Sequence, residues 1–283
     1  MATKRSEYRL IVLCMTLLQA LLLVPPGNTR AADRPADHTT VDVAIVLAAD
    51  VSASMTEEEL EFQRIGYAEA LRSIDVLTAI RTGYAGRIAV TYVEWSGNGS
   101  ARVVVNWTVI DNSTSVAEVA ETIRSFTSIP SRRGGGARTS ISHALRFGVA
   151  QFSKLPWAAT RHVIDISGDG INNDGGPVEA ARDLALDAGI AINGLPIGND
   201  SNSGEPISAY YARAVIGGEN AFIEPAASIR DFQIALQRKL QREIANLDGM
   251  STKAASITPA QGASSQHATM ERLARHGAAR DDG

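Results

Sequence analysis

The sequence is poor in several residue types on which catalytic and cross-linked folds depend. It has one cysteine, Cys14, which excludes an intrachain disulfide framework, a paired-thiol redox centre and cysteine-ligated zinc. Basic residues are not in excess: 27 Lys and Arg stand against 31 Asp and Glu, a formal charge of -4. That balance argues against a general nucleic-acid binder, which needs a basic face to neutralise phosphates. Aromatic residues make up only 5%. The apolar run from Leu10 to Val24 contains Thr16 and Gln19, and it is shorter than the roughly 20 apolar residues that usually span a bilayer. There is no GxSxG nucleophile elbow and no GxxxxGK[ST] phosphate loop. What is present is a 45% apolar chain of 283 residues, long enough to bury one large core.

The first thirty residues read as an address. Lys4, Arg5 and Arg9 precede the apolar run, Pro25, Pro26 and Gly27 follow it, and small residues appear at Ala31 and Ala32. This is the layout of a secretory signal peptide over 1–31, followed by a small, polar linker over 32–40. Cleavage would remove the only cysteine, four cationic residues and one glutamate, moving the formal charge to about -7. The expectation is an exported protein, periplasmic or extracellular, with no integral membrane span after cleavage.

From residue 41 the chain alternates strand and helix patterns. Val41 to Ala49 is an almost continuous β-branched apolar run, as in a strand covered on both faces. Thr56 with Glu59 reads as a capping box, ahead of an apolar stripe at Phe62, Ile65, Ala68 and Leu71. Residues 87–95 and 101–110 form a strand pair across the turn-rich 96–100. Ser115 with Glu118 is read as capping the next helix, which reaches about Phe126. The loop 130–138 leads into a helix carrying Ile141, Leu145, Val149 and Phe152. A strand at 161–167, a helix at 178–188, a strand at 190–197, a short helix at 207–215 and a short strand at 221–224 follow. A last helix from near Ser228 aligns Ile229, Phe232, Leu236, Leu240, Ile244 and Leu247. The pattern stops after Asp248, and 248–283 is read as a disordered tail. The fold class is therefore α/β: a doubly wound, mostly parallel sheet with one antiparallel edge strand and helices on both faces, over 41–247.

In such sheets ligands sit beyond the carboxyl ends of the strands, and three separate segments place oxygen donors there. Asp50, Ser52 and Ser54 follow the first strand, and alternate residues of an extended segment point the same way. Thr139 follows Gly134-Gly135-Gly136 at the start of a helix. Asp169 lies in Ser167-Gly168-Asp169-Gly170, directly after another strand. Two carboxylates and three hydroxyls are hard donors suited to Mg²⁺, with Mn²⁺ and Ca²⁺ as other ions of the same oxygen-loving class. Soft sulfur and imidazole are absent, which disfavours zinc and copper. Each piece alone has a plainer reading: the Asp, Ser and Thr residues as helix caps, Asp169-Gly170 as a turn. Three residues are further candidates for the shell behind the ligands. Asp165 is mid-strand and needs partners, either supporting the metal loop from behind or hydrogen-bonding a neighbouring loop. Glu94 ends another strand and either approaches the rim or is a packing feature with Trp95, and Asn172, together with Asn173 and Asp174, either supplements the site or belongs to a solvated turn.

DxSxS after the first strand, a Thr after a glycine-rich loop and an Asp in an SGDG turn resemble the metal-ion-dependent adhesion site of von Willebrand factor A domains. The order and positions match over about Asp42 to Asn246. The strings YVEWSG (92–97), RTSISHAL (138–145) and VIDISGDGINND (163–174) also resemble a bacterial exported subgroup of unknown function, DUF1194. The resemblance implies that Ser52 and Ser54 ligate a metal directly, that Thr139, Asp50 and Asp169 bind directly or through water, and that an acidic residue of a protein partner completes the sphere. The expected role is metal-dependent protein binding, not catalysis. The alternative is a metal-dependent phosphohydrolase with Asp50 as nucleophile. Such enzymes generally carry a second Asp two residues on, and here that position is Ser52.

Overall fold

A computed structural model describes residues 39–127, 138–198 and 204–245, all within the unit that begins at Thr39. The expected signal peptide, the glycine loop 134–136 and the tail 248–283 lie outside the described residues. Five strands form one sheet in the order β3-β2-β1-β4-β5: β1 (Thr40–Asp50), β2 (Ile88–Trp95), β3 (Ala101–Ile110), β4 (Ala158–Gly168) and β5 (Ile190–Pro196). Only β3 is antiparallel, paired to β2 through the 96–100 turn.

The continuous apolar run of β1 is explained by its central place, because both of its faces are covered. Val43, Ile45, Leu47 and Ala49 point into one core with α1 (Glu57–Arg72), α2 (Ile74–Thr82), α3 (Ser113–Ser125) and α7 (Phe232–Ala245). Val46 and Ala48 point into the other, beneath α4 (Ile141–Phe152), α5 (Val178–Asp187) and α6 (Ile207–Tyr210), which continues as a π-helical turn over Tyr211–Val215. This is the period-two alternation of a strand. The sheet is doubly wound with one antiparallel edge strand, as expected. β1 is also where the chain reverses direction across the sheet, moving out to β2 and β3 and returning to β4. A crevice beyond the carboxyl ends forms at such a switch point. Register aligns Asp50 with Trp95 and Ala49 with Ser167, so the two loops after β1 and β4 open on the same rim.

The local differences from the sequence reading have packing causes. The Thr56 capping box forms in both directions, with Thr56 N–H donating to Glu59 and Glu59 N–H to Thr56 Oγ1. Ala68 and Leu71 of the expected stripe are buried, but the buried face of α1 also takes in Leu60, Gln63, Gly66, Tyr67 and Ala70, and Phe62 stays 40% exposed. Gly66 is the reason: its bare backbone admits the Phe232 ring of α7, so the helix is rotated toward α7. α3 is capped by Asn112, whose side chain accepts from Thr114 N and Ser115 N; Ser115 is the reciprocating residue of that cap. The strand expected at 221–224 is reduced to isolated bridges, Gly194 with Ile223 and Ile197 with Ala226. α7 begins at Phe232, after a turn in which Ser228 Oγ meets Asp231.

Candidate metal centre

The end of β1 folds back on its own first carboxylate. Asp50 is fully buried, and its Oδ1 accepts the Ser52 N–H at 2.8 Å. Gln63 of α1 donates to the Asp50 carbonyl at 2.9 Å and Val51 N–H donates to Trp95 O at 2.8 Å, tying the turn to the helix below and the strand beside it. From there hydroxyls connect the three segments. Ser52 Oγ lies 3.0 Å from Ser54 Oγ, Ser54 Oγ donates to Asp169 Oδ1 at 2.8 Å, and Thr139 Oγ1 reaches Ser52 Oγ at 3.3 Å. The structure thus brings Asp50, Ser52, Ser54, Thr139 and Asp169 into one connected cluster.

Thr139 is held by Asn173, one of the three residues after β4 read as able to supplement the site or as a solvated turn. Its N–H donates to Asn173 Oδ1 at 2.9 Å, and Asn173 N–H donates back to the Thr139 carbonyl at 2.9 Å. Asn172 works beside it: its Oδ1 accepts Ser142 N–H and its Nδ2 donates to Gly176 O. The two asparagines therefore bind the loop after β4 to the start of α4. The cap of that helix is Ser140, which accepts from His143 N, so Thr139 precedes the helix by two residues. Gly170 lets the two loops close up, since a Cβ there would sit 3.2 Å from Thr139 Oγ1.

Asp165 and Glu94 face elsewhere. Asp165 shares the parity of Val163 and points into the α7 side of the sheet, where Lys239 Nζ lies 2.6 Å from its Oδ1. The same ammonium is 2.6 Å from Glu243, and Asn193 donates to that glutamate at 2.9 Å. All three charged side chains are buried. Burial and then the charge of Glu243 push the Asp165 carboxyl up to about 7, against the opposing pull of Lys239. Nothing in the sequence marks Lys239 as buried, because Lys239 and Glu243 look like a solvent-facing i,i+4 pair. Glu94, also buried, accepts from Arg102 Nη2 at 2.6 Å and Nε at 3.1 Å.

The electrostatics of the connected cluster favour a cation. Burial, followed by the charge of Asp169, holds the Asp50 carboxyl well above its ordinary range, and the Ser52 hydrogen bonds only partly offset this. Burial also raises Asp169, opposed by the Ser54 bond, with Glu59 adding a further upward push. Among the described residues Asp50 Oδ2 has no hydrogen-bond partner although it is buried, an arrangement that costs free energy unless something positive or protic meets it. Two carboxylates and three hydroxyls are hard donors, so a divalent ion such as Mg²⁺ fits the residues present. Among the described residues no three His, Cys, Asp or Glu side chains gather. A divalent ion held by this cluster would need its hydroxyl oxygens and water as well as carboxylate.

The family model described as "Protein of unknown function (DUF1194)" matches residues 40–248. No curated protein matches the chain in sequence. Among solved structures, the pilus adhesin SpaC from Lactobacillus rhamnosus GG is similar with a TM-score of 0.53 at 15% identity, over 73% of this chain and 31% of that one. Proximal thread matrix protein 1 from the mussel byssus gives 0.50 at 17% identity, over 72% of this chain and 46% of that one. The PilB minor pilin from Streptococcus sanguinis gives 0.51 at 13% identity, over 75% and 63%. The chain thus spans about a third to just under two thirds of these proteins, and at such identities the likeness is one of fold.

Proposed function

Because the chain belongs to the DUF1194 family and carries an α/β fold of the von Willebrand factor A type, we propose that it is a divalent-metal-dependent protein-binding module. The observation that carries this reading is the hydroxyl and carboxylate cluster at the switch point, with one buried Asp50 oxygen left without a partner. Ser52, Ser54 and Thr139 would hold the ion through their hydroxyls, and Asp50 and Asp169 would balance its charge directly or through water. Once bound, the ion, in the first place Mg²⁺, supplies a positive centre for an acidic side chain of a protein partner. The chain's own part is preorganisation. Asn173 fixes Thr139, the Ser52 N–H orients Asp50, and burial keeps water from competing for the carboxylate.

The names of the similar structures, an adhesin, a thread matrix protein and a pilin, support a role in attachment or assembly, and with it an exported location. Among the described residues no helix is long and apolar enough to cross a membrane. The signal at 1–31, the domain at 41–247 and the tail at 248–283 belong to the same proposal. Binding is favoured over phosphoryl transfer because the residue two positions after Asp50 is Ser52, a hydroxyl and not the carboxyl general acid that such a reaction uses. The test is cross-linked capture from an envelope fraction, with wild type and Ser52→Ala, with and without EDTA. The expected result is a protein retained by wild type in metal and lost with EDTA or in the variant. Retention indifferent to both, or phosphoester turnover that disappears in Asp50→Ala, would contradict the proposal.

A further inference from the structure

Tyr211 approaches the metal cluster from behind, through a gap made by two glycines. It opens the π-helical turn, in which Ile216 N–H donates to its carbonyl at 3.0 Å, and its ring is fully buried. A Cβ on Gly194 of β5 would lie 2.8 Å from the Tyr211 ring. A Cβ on Gly168, at the end of β4, would lie 2.8 Å from its hydroxyl and 2.9 Å from Asp50 Oδ2. Two glycines on adjacent strands thus let the ring in and bring its hydroxyl up to the rear of Asp50. The neighbouring Tyr210 accepts Asn172 N–H at 3.3 Å, so consecutive tyrosines grip the Asp169 loop at its two ends.

Both oxygens at the Gly168 gap, Tyr211 Oη and Asp50 Oδ2, are buried and have no hydrogen-bond partner among the described residues. One is a donor and the other an acceptor. A phenylalanine would fill the same space without burying a hydroxyl, so the cost of Oη at this point calls for a function. Two unsatisfied groups of complementary type, converging from elements far apart in sequence, point to an interaction completed when the centre is loaded.

We infer that Tyr211 is a positioning residue of the metal centre, its hydroxyl donating to Asp50 Oδ2 across Gly168 and so setting the carboxylate's orientation toward the ion. The inference rests on the metal-binding reading above and deepens it, adding a shell behind the ligands that the DxSxS pattern does not contain. Outer partners of this kind orient ligating carboxylates, and losing one typically weakens metal affinity by about 10- to 100-fold.

The experiment titrates the purified protein with Mn²⁺ alone, by calorimetry, in wild type, Tyr211→Phe, Gly168→Ala and Ser52→Ala. Thermal unfolding of each metal-free protein and the metal-induced near-ultraviolet tyrosine difference spectrum are recorded in parallel. Tyr211→Phe is expected to bind Mn²⁺ about tenfold more weakly, to unfold without metal no earlier than wild type, and to lose the tyrosine difference signal. Gly168→Ala, which pushes the two oxygens apart while keeping both, is expected to weaken binding likewise. If wild type and Tyr211→Phe bind equally while Ser52→Ala does not bind, the inference is overturned and the metal reading stands. If Tyr211→Phe is less stable without metal and keeps the difference signal, Tyr211 is a packing residue only and the inference fails. If wild type itself takes up no Mn²⁺, the metal reading fails and the inference with it.

Discussion

Asp50 and Asp165 are both carboxylates at full burial on adjacent strands, yet their surroundings differ in kind. Asp165 faces an ammonium, Lys239, while Asp50 meets no cation among the described residues and is hydrogen-bonded by Ser52 on one oxygen. Lys239→Met would leave Asp165 and Glu243 buried without their cation and is expected to cost about 3–5 kcal/mol in urea unfolding at neutral pH. The loss should shrink in acid, where Asp165 is protonated. Asp165 has a folded value of about 7, above the roughly 4 of an unfolded aspartate. Its contribution to stability is therefore full below that lower value and is lost as pH rises toward 7. The groups facing it are Lys239 and Glu243 of α7, Tyr67 of α1 and, through Glu243, Asn193 of β5. Asp165→Asn is expected to flatten stability against pH across that window and to leave Mn²⁺ affinity unchanged. At the metal cluster, Asp50 and Asp169 are both raised and must release protons to hold a cation. Mn²⁺ affinity should therefore climb with pH above the ordinary carboxylate range, as read by calorimetry at several pH values.

At the scale of elements, β1 was legible because its pattern has one explanation, a strand with two covered faces. The grouping of Asp50, Ser52 and Ser54 was expected too, but it comes from a turn that Met55 N–H closes on Ser52 O and not from the parity of an extended strand, which ends at Asp50. The Thr56 cap was legible for a similar reason, since both partners lie three residues apart in the chain. The stripe of α1 was legible only in part, at Ala68 and Leu71, because the full face a helix buries depends on its neighbour. Phe62 looks like core until Phe232 of α7 takes the space over Gly66. Gly66→Ala tests this. In an open helix the change would stabilise by about 1 kcal/mol. Here the new Cβ would lie 2.7 Å from a buried ring, and the expected result is a loss of about 1–3 kcal/mol in denaturant unfolding. The cap of α3 was misplaced for a related reason: Asn112 and Ser115 both carry capping side chains, and only the backbone angles at Asn112 decide between them.

At the scale of the whole molecule, the convergence of these five residues could be read from sequence because Asp50, Ser52, Ser54 and Asp169 lie at or just after strand ends and Thr139 just before a helix start, where topology sends them to one rim. Asn173 was legible as one of three residues that could supplement the site, though not its bond to Thr139. Lys239 and Tyr211 were not legible, because each lies beside a residue from a distant segment and no local spacing records that approach. The scarcity of cysteine takes on meaning at this scale as well. If the signal is cleaved near Ala31 or Ala32, the mature chain is free of thiols, and mass analysis of the exported protein should show that new terminus. Everything proposed for the rim depends on its holding a cation. The most direct measurement is Mn²⁺ calorimetry of wild type beside Ser52→Ala. One site filled in wild type and lost in the variant is the expected result. No binding in either protein, or equal binding in both, would contradict the account.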